Sequence, residues 1–95
     1  MVQYELMIIV NPTLSEEDRT ARIDAVKSVL DKAGAKITKE DVWGDKKLAY
    51  KINKSEKGFY VLFNLELDGT KITEISKEIN LNRDIWRYMF VKIED

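Results

Sequence analysis

Two groups of side chains in this chain have the types and spacing to do chemistry: a cluster of acids and a scatter of cations. Glu16, Glu17 and Asp18 stand together, and such a cluster can hold a metal ion or move a proton. Placed in the first turn of a helix, the same three residues are explained by capping and by the positive end of the helix dipole. Ser15 just before them has the chemistry of an N-cap. The sequence contains 0 Cys and 0 His, which removes thiolate and imidazole metal ligands and the commonest general base. No nucleophile is paired with a base, and the 4 glycines stand apart instead of opening a helix as a phosphate-cradling loop. The expectation is a chain that binds: no enzyme, no metal, no cofactor and no small-molecule substrate.

The cations are the remaining candidates. Lys46, Lys47, Lys51 and Lys54 lie in the middle of the chain, and Arg83, Arg87 and Lys92 lie near its end. Residues 36–57 carry an excess of lysine over acids, whereas the flanking segments are mildly acidic and the whole chain has a net charge of -1. Phosphate contacts need only cations placed along a backbone. Scattered lysines are as readily a solvated surface, and near-neutral charge argues against strong nucleic-acid binding by this chain alone.

These side chains must be positioned by the surrounding elements. Tyr4–Val10 is a strand-like apolar run, stopped by Asn11-Pro12. Behind Ser15, apolar residues at Ile23, Val26, Leu30 and Ala33 share one helical face, and Lys32 with Gly34 ends the helix. Lys36 to about Ile52 reads as extended, with Leu48, Tyr50 and Ile52 alternating and Gly44 marking a bend or bulge. Residues 53–58 have hairpin-loop chemistry. Phe59–Leu67 is a strongly apolar strand. Asp68-Gly69-Thr70 then caps a second helix with the face Ile72, Ile75 and Ile79, and Asn80-Leu81-Asn82 ends it. Ile85–Ile93 is the last strand. The order β-α-β-β-α-β predicts an α+β, ferredoxin-like sandwich, a single domain over residues 1–95. Its four-stranded antiparallel sheet carries both helices on one face. No run of about 18 apolar residues and no charged-then-apolar leader is present, so a soluble intracellular chain without a membrane segment is expected.

Strand parity assigns the faces. Tyr4, Leu6, Ile8 and Val10, with the odd residues of Phe59–Leu67, should meet the helices, as should Trp86, Tyr88 and Phe90. The open face then holds Met7, Ile9, Tyr60, Leu62, Met89 and Val91, with Glu5, Glu66 and Arg87 among them. An apolar patch of this kind marks an interface, with another protein or with a second copy. Lys57-Gly58-Phe59-Tyr60-Val61-Leu62-Phe63 superficially resembles the base-stacking motif of RRM domains. Its stacking positions would fall at Phe59 and Val61, on the face the core needs. The register rejects that reading.

The chain as a whole resembles the bacterial ribosomal protein S6 family. The likeness rests on Tyr4-Glu5, on Asn11-Pro12, on Trp43-Gly44-x-Lys46-Lys47-Leu48-Ala49-Tyr50-x-Ile52-x-Lys54, on Gly58-x-Tyr60 and on Arg87. The resemblance implies a ferredoxin-like structural constituent of the small ribosomal subunit, cytoplasmic, that binds 16S ribosomal RNA together with ribosomal protein S18. It makes Lys46, Lys47, Lys54, Arg87 and Lys92 the candidate RNA contacts, and the open face with Met7, Ile9, Tyr60, Leu62, Met89 and Val91 the partner surface. Family members often carry arginine at the paired basic positions; lysine keeps the charge but not the two-pronged phosphate geometry. The alternative is a homodimeric regulatory or small-molecule-binding domain paired through the same face, with an acylphosphatase-like enzyme third.

Overall fold

The computed structural model describes residues 2–52 and 54–93, with the side chains of Ala49 and Tyr50 outside that description. The chain forms β1 (Val2–Val10), α1 (Glu16–Lys32), β2 (Lys36–Ile52), β3 (Ser55–Leu67), α2 (Ile72–Asn80) and β4 (Ile85–Lys92). The four strands make one sheet in the order β2-β3-β1-β4, every neighbour antiparallel. This is the ferredoxin-like α+β sandwich that the element order predicts.

Both helices form where their caps and apolar spacing direct. Ser15 Oγ accepts from the Asp18 backbone N–H at 3.1 Å, satisfying one of the orphan donors of the first turn of α1. Ile23, Val26 and Leu30 are buried on the sheet. Asp68 caps a single 3-10 turn, Gly69–Lys71, which runs directly into α2, where Ile75 and Ile79 are buried. They meet Leu6, Ile8 and Val10 of β1 and Phe59, Val61, Phe63, Leu65 and Leu67 of β3 in one continuous core. The positions an RRM domain would use for stacking, Phe59 and Val61, are therefore in the core. Each such side chain contributes roughly 1.5–3 kcal/mol on burial, so the sheet is pinned to the helices through its central strands.

The structure departs from the sequence reading in three places. The strand before the core of β1 begins at Val2, two residues early. β3 begins at Ser55, so most of the stretch expected to be a loop is paired: Lys46 faces Gly58 and Lys47 faces Lys57. Finally, Trp86 is not in the core. The β1–β4 register shifts between Ile9 and Val10, bringing Ile85 opposite Val10 and burying it. Tyr88 and Phe90 pack on the core as expected, but the irregularity leaves Trp86 half-buried at the sheet end.

Candidate nucleic-acid and partner interface

The sheet registers set out the open face row by row. Gly44, Tyr60, Ile9 and Arg87 form one row across all four strands; Asp41, Leu62, Met7 and Met89 form the next; Lys39, Asn64, Glu5 and Val91 the third. All six predicted partner residues therefore share one surface. Met89 and Val91 are 59% and 47% exposed, whereas Met7, Ile9, Tyr60 and Leu62 are half-buried by their neighbours.

Two further residues belong to this face that the partner set omits. β2 bulges between Val42 and Gly44, and Trp43, the extra residue, stacks on Tyr60 with ring centroids 6.4 Å apart and planes 6° off parallel. The bulge is possible because Gly44 adopts φ +80, which a side chain would resist. Leu48 folds over Gly58: a Cβ at residue 58 would collide with Ile9 Cγ2 and lie 3.2 Å from Leu48 Cδ2 and 3.6 Å from Tyr60 Cε1. Leu48 is accordingly buried, on this face and not in the main core. Gly44 was the available signal for Trp43, since a bulge re-aims the side chain beside it. Tyr50, read from the sequence as alternating with Leu48, lies outside the described side chains.

The predicted cations divide into groups. Lys46 is opposite Gly58 on the open-face side of the β2–β3 hairpin, and Lys47 is opposite Lys57 on the other. Like charges directly across a ladder repel, and among the described residues neither Lys47 nor Lys57 has an ion-pair partner. An anion placed there relieves that repulsion. Lys57 was missing from the predicted contacts, although the like-charge pairing follows once the hairpin register is known. Lys54, at φ 67, lies near the hairpin end, and Arg87 is exposed at the end of its row. Lys92 is opposite Tyr4, at the start of β1. Six residues of strand, about 20 Å, separate that level from Val10, so Lys92 does not join the hairpin cations.

Three other basic residues, Lys51, Lys39 and Arg19, are engaged elsewhere. Lys51 meets Glu56 at 3.8 Å and Lys39 meets Asp41 at 3.5 Å, while Arg19 lies 4.1 Å from the Phe59 ring centroid. Among the described residues no group of three acids could hold a metal ion, and no helix is long and apolar enough to cross a membrane. Glu16, Glu17 and Asp18 occupy the first turn of α1 behind the Ser15 cap. The arrangement offers an apolar surface for a protein and cations for phosphate.

A family model described as ribosomal protein S6 matches residues 3–92. The small ribosomal subunit protein bS6 of Fusobacterium nucleatum is 45% identical over 92 residues, covering 97% of this chain and 98% of that protein. Its counterpart in Treponema denticola is 41% identical over 95 residues, with 100% of both chains covered. Among solved structures, the 30S ribosomal protein S6 of Thermotoga maritima superposes with a TM-score of 0.91 at 28% identity, over 97% of this chain and 87% of that one. The P2 domain of the chemotaxis kinase CheA from the same organism reaches a TM-score of 0.65 at 13% identity, a likeness of fold alone.

Proposed function

The chain belongs to the ribosomal protein S6 family, and from that premise we propose that it binds 16S ribosomal RNA jointly with ribosomal protein S18. As a member of that family it is a protein of the small ribosomal subunit in the cytoplasm, and it is not an enzyme. S18 docks on the open sheet face, through Met7, Ile9, Tyr60, Leu62, Met89 and Val91. RNA phosphates are met by Lys46, Lys47, Lys54 and Arg87, with Lys92 serving a separate stretch of backbone. The observation that carries this reading is the apolar open face beside a hairpin whose opposed lysines have no ion-pair partner among the described residues. Such a face is an interface in waiting, and so few cations give only weak RNA affinity without a partner.

Gel-shift titration of a 16S ribosomal RNA transcript, with and without S18, tests the proposal. The lone protein should bind weakly and lose that binding as salt rises, and S18 should tighten it. Replacing Lys46 and Lys47 together by alanine should flatten the salt dependence by nearly two units in log–log slope. Tight, salt-insensitive binding by the protein alone sinks the joint-binding idea, and an unchanged slope moves the RNA contact elsewhere. Light scattering addresses the competing homodimer: a stable dimer with no affinity for RNA would favour it.

A further inference from the structure

At the sheet end where β1 finishes and β4 begins, an open depression of about 630 Å³ is lined by Asn11, Thr13, Lys54, Ser55, Arg83, Asp84 and Trp86. Three elements build it. The β2–β3 hairpin supplies Lys54 and Ser55, the end of β1 supplies Asn11, and the turn into β4 supplies Arg83, Asp84 and Trp86. Its floor is tied down: the Asn11 backbone N–H donates to the Asp84 carbonyl at 2.8 Å, and the Asp84 N–H to Asn82 Oδ1 at 3.1 Å.

Trp86 is here because the β1–β4 register shift buries Ile85 in its place. A large aromatic residue displaced from the core and left half-buried offers an apolar face to a ligand. Among the described residues the one carboxylate lining the depression, Asp84, is already committed: Arg22 Nε reaches its Oδ2 at 3.0 Å and Asn11 Nδ2 its Oδ1 at 3.4 Å. It therefore does not neutralise its neighbour Arg83. Among the described residues neither Arg83 nor Lys54 is in an ion pair. One aromatic ring in the same depression as two cations outside any ion pair matches the repeating unit of a single-stranded nucleic acid, whose base stacks and whose phosphate pairs.

We infer that this depression is a nucleotide-binding site in which one unpaired RNA base stacks on Trp86 while Lys54 and Arg83 hold the adjoining phosphates. The site rests on the RNA-binding function proposed above and adds a base contact to what would otherwise be a backbone interface. Arg83 and Trp86 become RNA-contacting residues. Lys54 acts from this depression, away from the pair formed by Lys47 and Lys57.

The test uses the full chain with S18 and a 16S ribosomal RNA transcript, in a Trp43→Phe background that leaves Trp86 the one tryptophan of this chain, with the emission of S18 alone subtracted. RNA should quench Trp86 as it binds. Trp86→Leu, which keeps apolar bulk but not the ring, should weaken RNA binding roughly tenfold, the scale of one base stack. The double variant Lys54→Gln with Arg83→Gln alters only exposed side chains; it should abolish the quench and lower the log–log salt slope by about 1.4. RNA binding at unchanged affinity with Trp86 unquenched overturns the site and leaves the broader function standing. Failure of the S18-containing mixture to bind the transcript at all overturns both.

Discussion

Asp68 accepts the Thr70 backbone N–H at 3.0 Å and the Thr70 hydroxyl at 2.9 Å. These bonds, the backbone one foremost, together with the charge of Lys71, hold its carboxyl below the usual range. A depressed carboxylate stabilises the fold above its unfolded pKa of about 3.9 and loses that contribution as pH falls through the lower folded value. Asp68→Asn keeps an acceptor for both bonds but cannot titrate. The stability difference between wild type and variant should therefore be steady from pH 7 down to about pH 4.5 and narrow below about pH 4. Urea unfolding across that range measures it, and a difference constant down to pH 2.5 would remove Asp68 from the acid response. The group is exposed, so the effect is one of local capping at the entry to α2. Its cause is the turn that Thr70 closes.

At the scale of elements, the β2–β3 hairpin decides what the open face looks like. Its register shifts at Ile37/Lys39, at Val42/Gly44 and again between Lys47 and Ile52, and each shift re-aims the side chains beyond it. Gly44→Ala would force a left-handed conformation on an L side chain at φ +80 with nothing within 4 Å to clash, so the cost is conformational, about 1–2 kcal/mol. The variant should also loosen the Trp43–Tyr60 stack, visible as a change in tryptophan emission, and Gly44→Asn should be milder because asparagine tolerates this region. A loss below a few tenths of a kcal/mol in denaturant unfolding would mean that the bulge is not held by the glycine. Gly44 made this irregularity legible from the sequence. The one in the β1–β4 pairing was not, because Ile85 and Trp86 are both apolar and no glycine or proline marks Ile9 or Val10. Alternation alone put Trp86 inside, and only long-range pairing shows that Ile85 takes the core place.

For the whole molecule, the two faces of the sheet explain how much function the residues could show unaided. The helix-side face is closed, with Leu6, Ile8, Phe63 and Ile75 fully buried, and its parity could be read from the spacing of apolar residues in β1 and β3. The open face could be read as an interface but not as an interface for a particular partner, since apolar area carries no identity. Lysines spaced along a hairpin looked like a solvated surface until their opposition, Lys47 to Lys57, was set by the register. The Trp43-Gly44 and Leu48-Ala49-Tyr50 spacing carried the family, by resemblance and not by physics. A substitution that separates folding from assembly follows from this division. Met89 is 59% exposed and faces Met7 across β1–β4, so Met89→Glu should change folding stability by no more than about 0.5 kcal/mol. Docked against S18, the same carboxylate would be buried without a partner, at a cost of about 3–5 kcal/mol, which lowers affinity more than 100-fold. Thermal unfolding and calorimetric titration with S18 read the two quantities separately. Undiminished S18 affinity in a folded variant would move the docking surface off this face, and RNA binding as tight without S18 as with it would show that the cations suffice alone.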